Sequence, residues 1–138
     1  MMAASQVLDR IRKEIIGSGV DTRYPVGAYE FVLSGLDFYL TNIGEKRHVS
    51  GQEFSAGLLN FAHKQFGLLA PEVLDFYGIK ATDDFGNIVY NMIELGIMSR
   101  TSDDRIEDFN GVVEIKEFFK DKECLKIDPE FIKRIKGA

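Results

Sequence analysis

Apolar residues recur at helical spacing through the first half of the chain, and three separate runs each predict a helix. The first run covers residues 7–17 and keeps a narrow apolar stripe among charged residues. The second begins at Pro25, a residue suited to the first turn of a helix, and ends at Gly44. The third covers residues 50–67. The second run has the widest apolar face and carries extra aromatic residues outside it, which predicts a helix that is covered on more than one side.

The start of the third helix is the most clearly marked in the chain, in the run HVSGQEF. Ser50 can accept a hydrogen bond from the backbone N–H of Glu53, and the Glu53 carboxylate can return one to the N–H of Ser50. This pattern predicts a capping box. Gly57, inside the same helix, costs about 1 kcal/mol relative to alanine, so we expect another backbone to approach closely there.

The second half of the chain changes its spacing after Gly96. Before that residue, a short helix over residues 71–78 and a longer one over residues 82–95 predict a helix-turn-helix. After it, two short apolar runs at 97–98 and 112–115 flank a polar loop and predict a β-hairpin. The expected fold is therefore mainly α with a small β-hairpin, which makes a winged-helix-like core preceded by two N-terminal helices.

The length of the chain, 138 residues, is that of one domain, and a hydrophobic content of 45% is ample for a single core. We expect residues 1–119 to form a single helical, winged-helix-like domain. Residues 120–138 are predicted to form a charged linker and a peripheral C-terminal helix, in which Asp128 caps and Pro129 occupies the first turn.

Composition narrows the cellular setting. Seventeen basic and 22 acidic residues give a net charge of −5, which favours solubility and does not mark a polyanion binder. The single cysteine, Cys124, excludes an internal disulfide framework and is compatible with a reducing compartment. The N-terminal run lacks the apolar core of a signal peptide, and no run approaches the ~20 apolar residues that a membrane span needs. We therefore expect a cytoplasmic protein without membrane segments.

The charge of the predicted winged helix argues against DNA as its partner. Residues 50–113 contain four basic and ten acidic residues, whereas DNA binding depends on lysine and arginine side chains that neutralise phosphates. The helix that would enter the major groove begins with Asp83 and Asp84, whose simplest role is to stabilise the positive end of the helix dipole. Asn87 and Asn91 could contact adenine edges, but such contacts are weak without phosphate neutralisation. A DNA-binding transcription regulator is therefore the alternative hypothesis.

Candidate catalytic groups are scattered along the sequence. His48 precedes the capping box, and His63 lies near the end of its helix, where a cationic ring interacts favourably with the dipole. The acidic loop of residues 103–108 lacks the glycine and the ligand spacing of a calcium loop. A small enzyme or metal-binding protein that uses this loop is the second alternative. The sequence itself predicts no catalytic residue, cofactor or metal site, and it leaves open whether the chain is an enzyme.

The leading hypothesis is a non-catalytic protein-interaction or oligomerisation domain with an acidic, winged-helix-like surface. Aromatic residues of the second helix would supply apolar contact area, although they could equally belong to the core, and exposed charges would steer the approach of a partner. We expect a protein partner, a homodimer being one form, rather than nucleic acid or a membrane. The candidate partner-contact residues are Asp83, Asp84, Asn87, Asn91, Asp103, Asp104, Arg105, Phe31 and Phe38.

Several motifs resemble those of a family of short, uncharacterised bacterial proteins. The matching runs are RHVSGQEF, QFG, VLDFYGIKATDDFGNIVYNMIELGIMS and DRIEDFNG, within a span from Tyr24 to Phe119. Tyr77 departs from the pattern, because the family more often has tryptophan there. The family has no assigned activity, so the resemblance implies a bacterial source but no catalytic residues. A looser resemblance, over residues 50–116, is to winged-helix domains of bacterial regulators, and it implies three helices and a hairpin.

Overall fold

A computed structural model describes residues 4–123, and these residues form six α-helices with short irregular connections. A π-helical turn at Arg12–Ile16 extends the first helix, and 3-10 turns cover Gly67–Leu69 and Ile106–Phe109. The α-helices are α1 (Ala4–Ile11), α2 (Val26–Ile43), α3 (Gly51–Phe66), α4 (Ala70–Phe76), α5 (Thr82–Glu94) and α6 (Ile115–Glu123).

The predicted ends of α2 and α3 are confirmed, and their caps explain them. Gly44 adopts a left-handed conformation, with φ of 69°, which ends α2 at the position that favours glycine. The Ser50 hydroxyl accepts from the N–H of Glu53 at 3.2 Å and so caps α3. The second half of the predicted capping box is wrong, because the Glu53 carboxylate instead pairs with Arg47 at 2.6 Å and accepts from the hydroxyl of Tyr39.

Helices α2, α3 and α5 enclose most of the core, and glycines let α2 and α3 approach each other closely. A Cβ atom at Gly35 would lie 2.5 Å from Leu58 Cδ2, and one at Gly57 would lie 2.8 Å from Tyr39 Cδ1. The close neighbour that we expected at Gly57 is therefore an aromatic side chain and not a backbone. The bulkiest fully buried side chains are those of Tyr24, Tyr29, Phe85 and Phe119.

The predicted β-hairpin, and with it the winged-helix core, is wrong: residues 4–123 contain no strand. Gly96 has a φ of 76°, and the N–H of Ile97 donates to the carbonyl of Met92 at 2.9 Å. This pairing closes the C-terminus of α5 and prevents Ile97 from starting a strand. At the other end of the segment, Ile115 begins α6 instead of continuing a strand.

Two backbone N–H groups in the predicted loop of the hairpin are bonded to aspartate side chains. The Asp104 carboxylate accepts from the N–H of Thr101 at 2.8 Å, and the Asp108 carboxylate accepts from that of Arg105 at 3.1 Å. Such local bonds compete with strand pairing and favour turns. The aspartates that were expected to sit on a solvated wing therefore build two successive turns.

Further along, the segment is attached to the N-terminus of α5. The N–H of Gly111 donates to the Asp83 carboxylate at 3.0 Å, and the N–H of Val112 donates to the Thr82 hydroxyl at 3.1 Å. Ala81 holds the N-cap position of α5, so Thr82 is the first residue of the helix. Two side chains at the start of α5 thus bind the first amide of the predicted second strand and the amide just before it.

Phe109 anchors the same segment in the core. Its side chain is buried, and a Cβ atom at Gly86 would lie 2.9 Å from Phe109 Cβ. A Cβ atom at Gly51 would lie 3.0 Å from Phe109 Cδ2. The ring therefore occupies space that glycines leave between α3 and α5, and residues 97–109 pass over the helices as a fixed, irregular strap.

The C-terminal part of the described chain packs against α3 and α4 through α6. Phe119 is buried and lies near His63, with 6.5 Å between the ring centroids. The predicted domain end at residue 119 falls inside α6, and the predicted C-terminal helix beyond Asp128 lies outside the described residues. Within residues 4–123, none of the helices combines the length and the apolar character that a membrane crossing requires.

Candidate functional site

A cavity of about 880 Å³ lies between α2, α5 and two connecting segments, residues 44–51 and 97–109. Small-molecule sites in proteins commonly measure roughly 300–1,000 Å³, so the volume suits a ligand rather than a few waters. A second cavity, bordered by residues 80–82 and 113–115, measures about 290 Å³. We therefore take the larger cavity as the candidate site.

The floor of the cavity is apolar because α2 and α5 turn aliphatic side chains toward it. Leu33, Leu36 and Leu40 follow one another at helical spacing on α2, and Val89 and Ile93 do so on α5. Four of these five side chains are only half-buried, since the cavity leaves them without full cover. This floor can accept an apolar group.

The rim of the cavity is charged, and the two connecting segments supply it. We use the name rim for Arg47, His48, Arg100 and Arg105, which all line the cavity. Arg47 is fully engaged within the chain: its guanidinium pairs with Glu45 at 2.9 Å and with Glu53 at 2.6 Å. It therefore fastens residues 44–51 to α3 and has little capacity left for a ligand.

His48 and Asp104 join the two connecting segments across the rim. They lie 56 positions apart in the sequence, yet His48 Nε2 is 2.7 Å from Asp104 Oδ1. Burial raises the pKa of Asp104, but the bonds from the Thr101 amide and His48 outweigh it, so the pKa lies below its ordinary value. The ionised carboxylate can therefore bind both groups at neutral pH.

Arg100 and Arg105 differ from Arg47 because neither has a carboxylate partner within residues 4–123. One guanidinium nitrogen of Arg100 donates to the backbone carbonyl of Asp104 at 3.0 Å, and the group lies 5.8 Å from the ring centroid of Tyr90. The side chain of Arg105 forms neither a hydrogen bond nor an ion pair with the described residues. Both cations are therefore free to meet an anion.

Tyr90 adds an unused polar group to the same site. It lines the cavity, and its hydroxyl is buried without a hydrogen-bond partner among the described residues. A buried hydroxyl in that state costs free energy that a ligand atom could recover by bonding to it.

None of the four predicted contact residues on α5 lines the cavity, and three of them, Asp84, Asn87 and Asn91, bond to residues 21–29 instead. Asp84 accepts from the hydroxyl of Tyr24 and from the backbone N–H groups of Lys80 and Ala81, at 2.8 and 3.1 Å. Asn87 donates to the same Tyr24 hydroxyl at 3.0 Å. The carboxylate of Asp84 thus caps α5 and also attaches it to the segment before α2.

Asn91 belongs to a second group of bonds beside the first. Its amide donates to Asp21 at 2.8 Å and to the hydroxyl of Tyr29 at 3.0 Å. Asp21 is itself buried and pairs with Arg23 at 2.7 Å. The two groups meet where the Arg23 guanidinium lies 5.2 Å from the ring centroid of Tyr24. We call them together the α5 network; its members are Asp21, Arg23, Tyr24, Tyr29, Asp84, Asn87 and Asn91.

The other predicted contact residues are distributed between surface, rim and core. Asp103 is exposed and Asp83 binds the Gly111 amide, whereas Asp104 and Arg105 border the cavity. Phe31 is buried against Phe61, with 5.3 Å between the ring centroids. Phe38 is half-buried and lies 5.1 Å from the same ring. That these residues contact a partner stays a prediction.

Sequence analysis missed Tyr90 and Arg100 and treated His48 as an isolated residue. The segments that form the rim are about fifty positions apart, and no spacing rule connects them. The described residues contain no group of three or more His, Cys, Asp or Glu side chains that could hold a metal ion. The site is an apolar cavity with a charged rim.

No family model, curated protein or solved structure matches this chain. The resemblance to a bacterial protein family stays a prediction, and the function of the site has to be argued from its geometry.

Proposed function

We propose that this protein is a non-catalytic binding module whose cavity takes up the apolar part of a small molecule. The observation that carries the proposal is the cavity itself: about 880 Å³, with aliphatic side chains on its floor and charged groups confined to its rim. This differs from the expected acidic surface, since most of the aspartates that would form it are bonded within the chain.

The surroundings of the cavity support binding because they hold its walls in place. Phe109 fixes residues 97–109 between α3 and α5, and the Arg47–Glu53 pair fixes residues 44–51 to α3. A preformed cavity lowers the ordering cost that a ligand would otherwise meet. Walls that are already fixed therefore favour binding.

The proposal can be tested by filling the cavity. Ile93→Trp places a large side chain on the floor, so we expect affinity for the neutral dye Nile red and for 1-decanol to fall at least tenfold, as measured by fluorescence and its displacement. Thermal unfolding of the same variant would show that the fold is kept.

Val20→Trp is the matched control, because Val20 is 71% exposed and does not line the cavity. It adds the same aromatic side chain elsewhere and should leave binding unchanged. If the wild-type chain binds neither probe, or if Ile93→Trp binds both as well as Val20→Trp does, the cavity is not a binding site.

A second candidate function, protein interaction or homodimer formation, is favoured by a separate surface. Leu69 and Phe76 are 59% and 78% exposed, and their spacing of seven residues places them on one face of α4 and the turn before it. Exposed apolar patches often mark interfaces. Phe76→Ser should shift a dimer to monomer in sedimentation experiments while Val20→Ser does not, and a wild-type chain that stays monomeric at high concentration would contradict this candidate.

A further inference from the structure

How strongly the rim of the cavity attracts a charged ligand depends on which of its charged side chains lack an ion-pair partner. Among the cations, Arg47 is committed to Glu45 and Glu53, whereas Arg100 and Arg105 have no carboxylate partner in the described chain. The exposed Lys46 also lines the cavity and forms no ion pair with described residues.

The carboxylates around the cavity are mostly engaged. Both oxygens of Asp104 accept bonds, from His48 at 2.7 Å and from the Thr101 amide at 2.8 Å. Asp108 accepts from the amide of Arg105, and Glu45 pairs with Arg47. Asp37, exposed on α2, is the exception and forms no ion pair with described residues. The charged lining residues without an ion pair are therefore three cations, Lys46, Arg100 and Arg105, and two carboxylates, Asp37 and Asp108, so the attraction for an anion is local to Arg100 and Arg105.

Arg100 is held in a way that suits ligand binding. One of its nitrogens binds the Asp104 carbonyl at 3.0 Å, which orients the guanidinium but leaves its charge uncompensated. The planar fork of a guanidinium matches an oxyanion, and charge-assisted bonds of this kind are among the stronger hydrogen bonds in proteins. Tyr90 also lines the cavity, and its hydroxyl is buried without a partner in the described chain.

We propose that the ligand of this cavity is an amphipathic organic anion, whose apolar chain lies on the floor formed by α2 and α5 and whose oxyanion meets Arg100 and Arg105. This inference rests on the proposed function, since it names the class of molecule that the cavity takes. A neutral chain would use only the floor, and an ammonium head group would be repelled by the unpaired cations.

The experiment compares three probes with the same alkyl chain, decanoate, 1-decanol and decylammonium, by titration calorimetry at neutral pH. We expect decanoate to bind the wild-type chain about tenfold more tightly than 1-decanol, as a charge-assisted hydrogen bond would give, and decylammonium to bind most weakly. In Arg100→Gln and in Arg105→Gln the preference for decanoate should shrink severalfold, while affinity for 1-decanol stays the same.

The neutral probe serves as the internal control, because a variant that binds 1-decanol normally has kept its cavity. Arg12→Gln is the matched arginine control: Arg12 is exposed on the turn after α1, where it pairs only with Asp9. It should keep the full preference.

Four results would overturn the inference: equal affinity for decanoate and 1-decanol, tighter binding of decylammonium, an unchanged preference in both arginine variants, or equal loss of both probes in them. Failure of the wild-type chain to bind even 1-decanol would instead remove the proposed function. The two failures are therefore distinguishable.

Discussion

On one face of α5 the polar side chains bond to residues 21–29, whereas on the opposite face several polar groups border a cavity without using all of their bonding capacity. The first face carries Asp84, Asn87 and Asn91, which join the α5 network to the segment before α2. The second face carries Tyr90 and Ile93, which line the cavity together with residues of α2. One face of α5 therefore holds the fold together, and the other face borders the candidate site.

The difference shows how buried polar groups can be sorted into structural and functional ones. In the α5 network, Asp21 accepts bonds from Arg23 and Asn91, so its charge is compensated inside the chain. At the cavity, the Tyr90 hydroxyl and the Arg105 guanidinium have no partner within residues 4–123. The bonded groups of the α5 network stabilise the fold, whereas the unbonded groups at the cavity can form bonds with a ligand.

Asp21→Asn is expected to give the largest loss of stability among the variants that test the contrast between the two faces of α5. Asp21 is buried, and its carboxylate holds Arg23 and Asn91, so the variant should lose about 2 kcal/mol in the free energy of unfolding. The loss stays below that of a fully buried pair because the side chain of Arg23 is 59% exposed. Chemical denaturation at pH 7 measures it.

The same variant should change the pH dependence of stability. The hydrogen bonds from Arg23 hold the pKa of Asp21 at about 2, below its ordinary 3.8. A depressed pKa means that the stabilisation is complete above pH 3.8 and is lost as the pH falls toward 2. The difference between wild type and Asp21→Asn should therefore shrink over that range.

Asp9→Asn is the control for this prediction. Asp9 pairs with Arg12 at 3.0 Å, and both side chains are exposed, so the variant should cost less than about 0.5 kcal/mol. An equal cost for Asp9→Asn and Asp21→Asn would mean that the α5 network is not closed in solution.

Helix positions were predictable from sequence because their determinants are local. The apolar spacing of α2, the glycine at its end and the serine before α3 each act within a few residues. The return bond of the capping box was not predictable, since Glu53 is captured by Arg47 and Tyr39, and Tyr39 belongs to another helix.

The hairpin prediction failed because the same pattern fits two structures. Strand-like runs around a polar loop also fit a strap whose amides are bonded to aspartates, and the sequence alone does not show that Phe109 fits against Gly51 and Gly86. The aspartates and glycines were visible, but their partners depend on how α3 and α5 are placed.

The candidate site was largely missed for a related reason. Its rim unites residues from two segments that are far apart in sequence, as the His48–Asp104 pair shows. The residues that were singled out on α5, Asp84, Asn87 and Asn91, are polar at helical spacing, which is equally consistent with a surface or with an internal network. Only the position of the segment before α2 decides between the two.

The smallest expected change in stability concerns two tyrosines, of which one hydroxyl is hydrogen-bonded and the other is not. Burial raises the pKa of Tyr29, whose hydroxyl stays protonated and accepts from Asn91 at 3.0 Å, so Tyr29→Phe should lose about 1 kcal/mol. Tyr90→Phe removes a buried hydroxyl without a partner and should leave stability unchanged or raise it by up to about 1 kcal/mol.

Chemical denaturation of the two variants in parallel measures whether their stability changes differ in sign. Because both substitutions remove only a tyrosine hydroxyl, each variant is the control for the other. If Tyr90→Phe is as destabilising as Tyr29→Phe, the Tyr90 hydroxyl has a partner in the free chain and the contrast between the two faces of α5 is lost. If Tyr90→Phe keeps or gains stability but binds decanoate more weakly than the wild-type chain, the unused hydroxyl is one that a ligand completes, because only the bound state would then contain its partner.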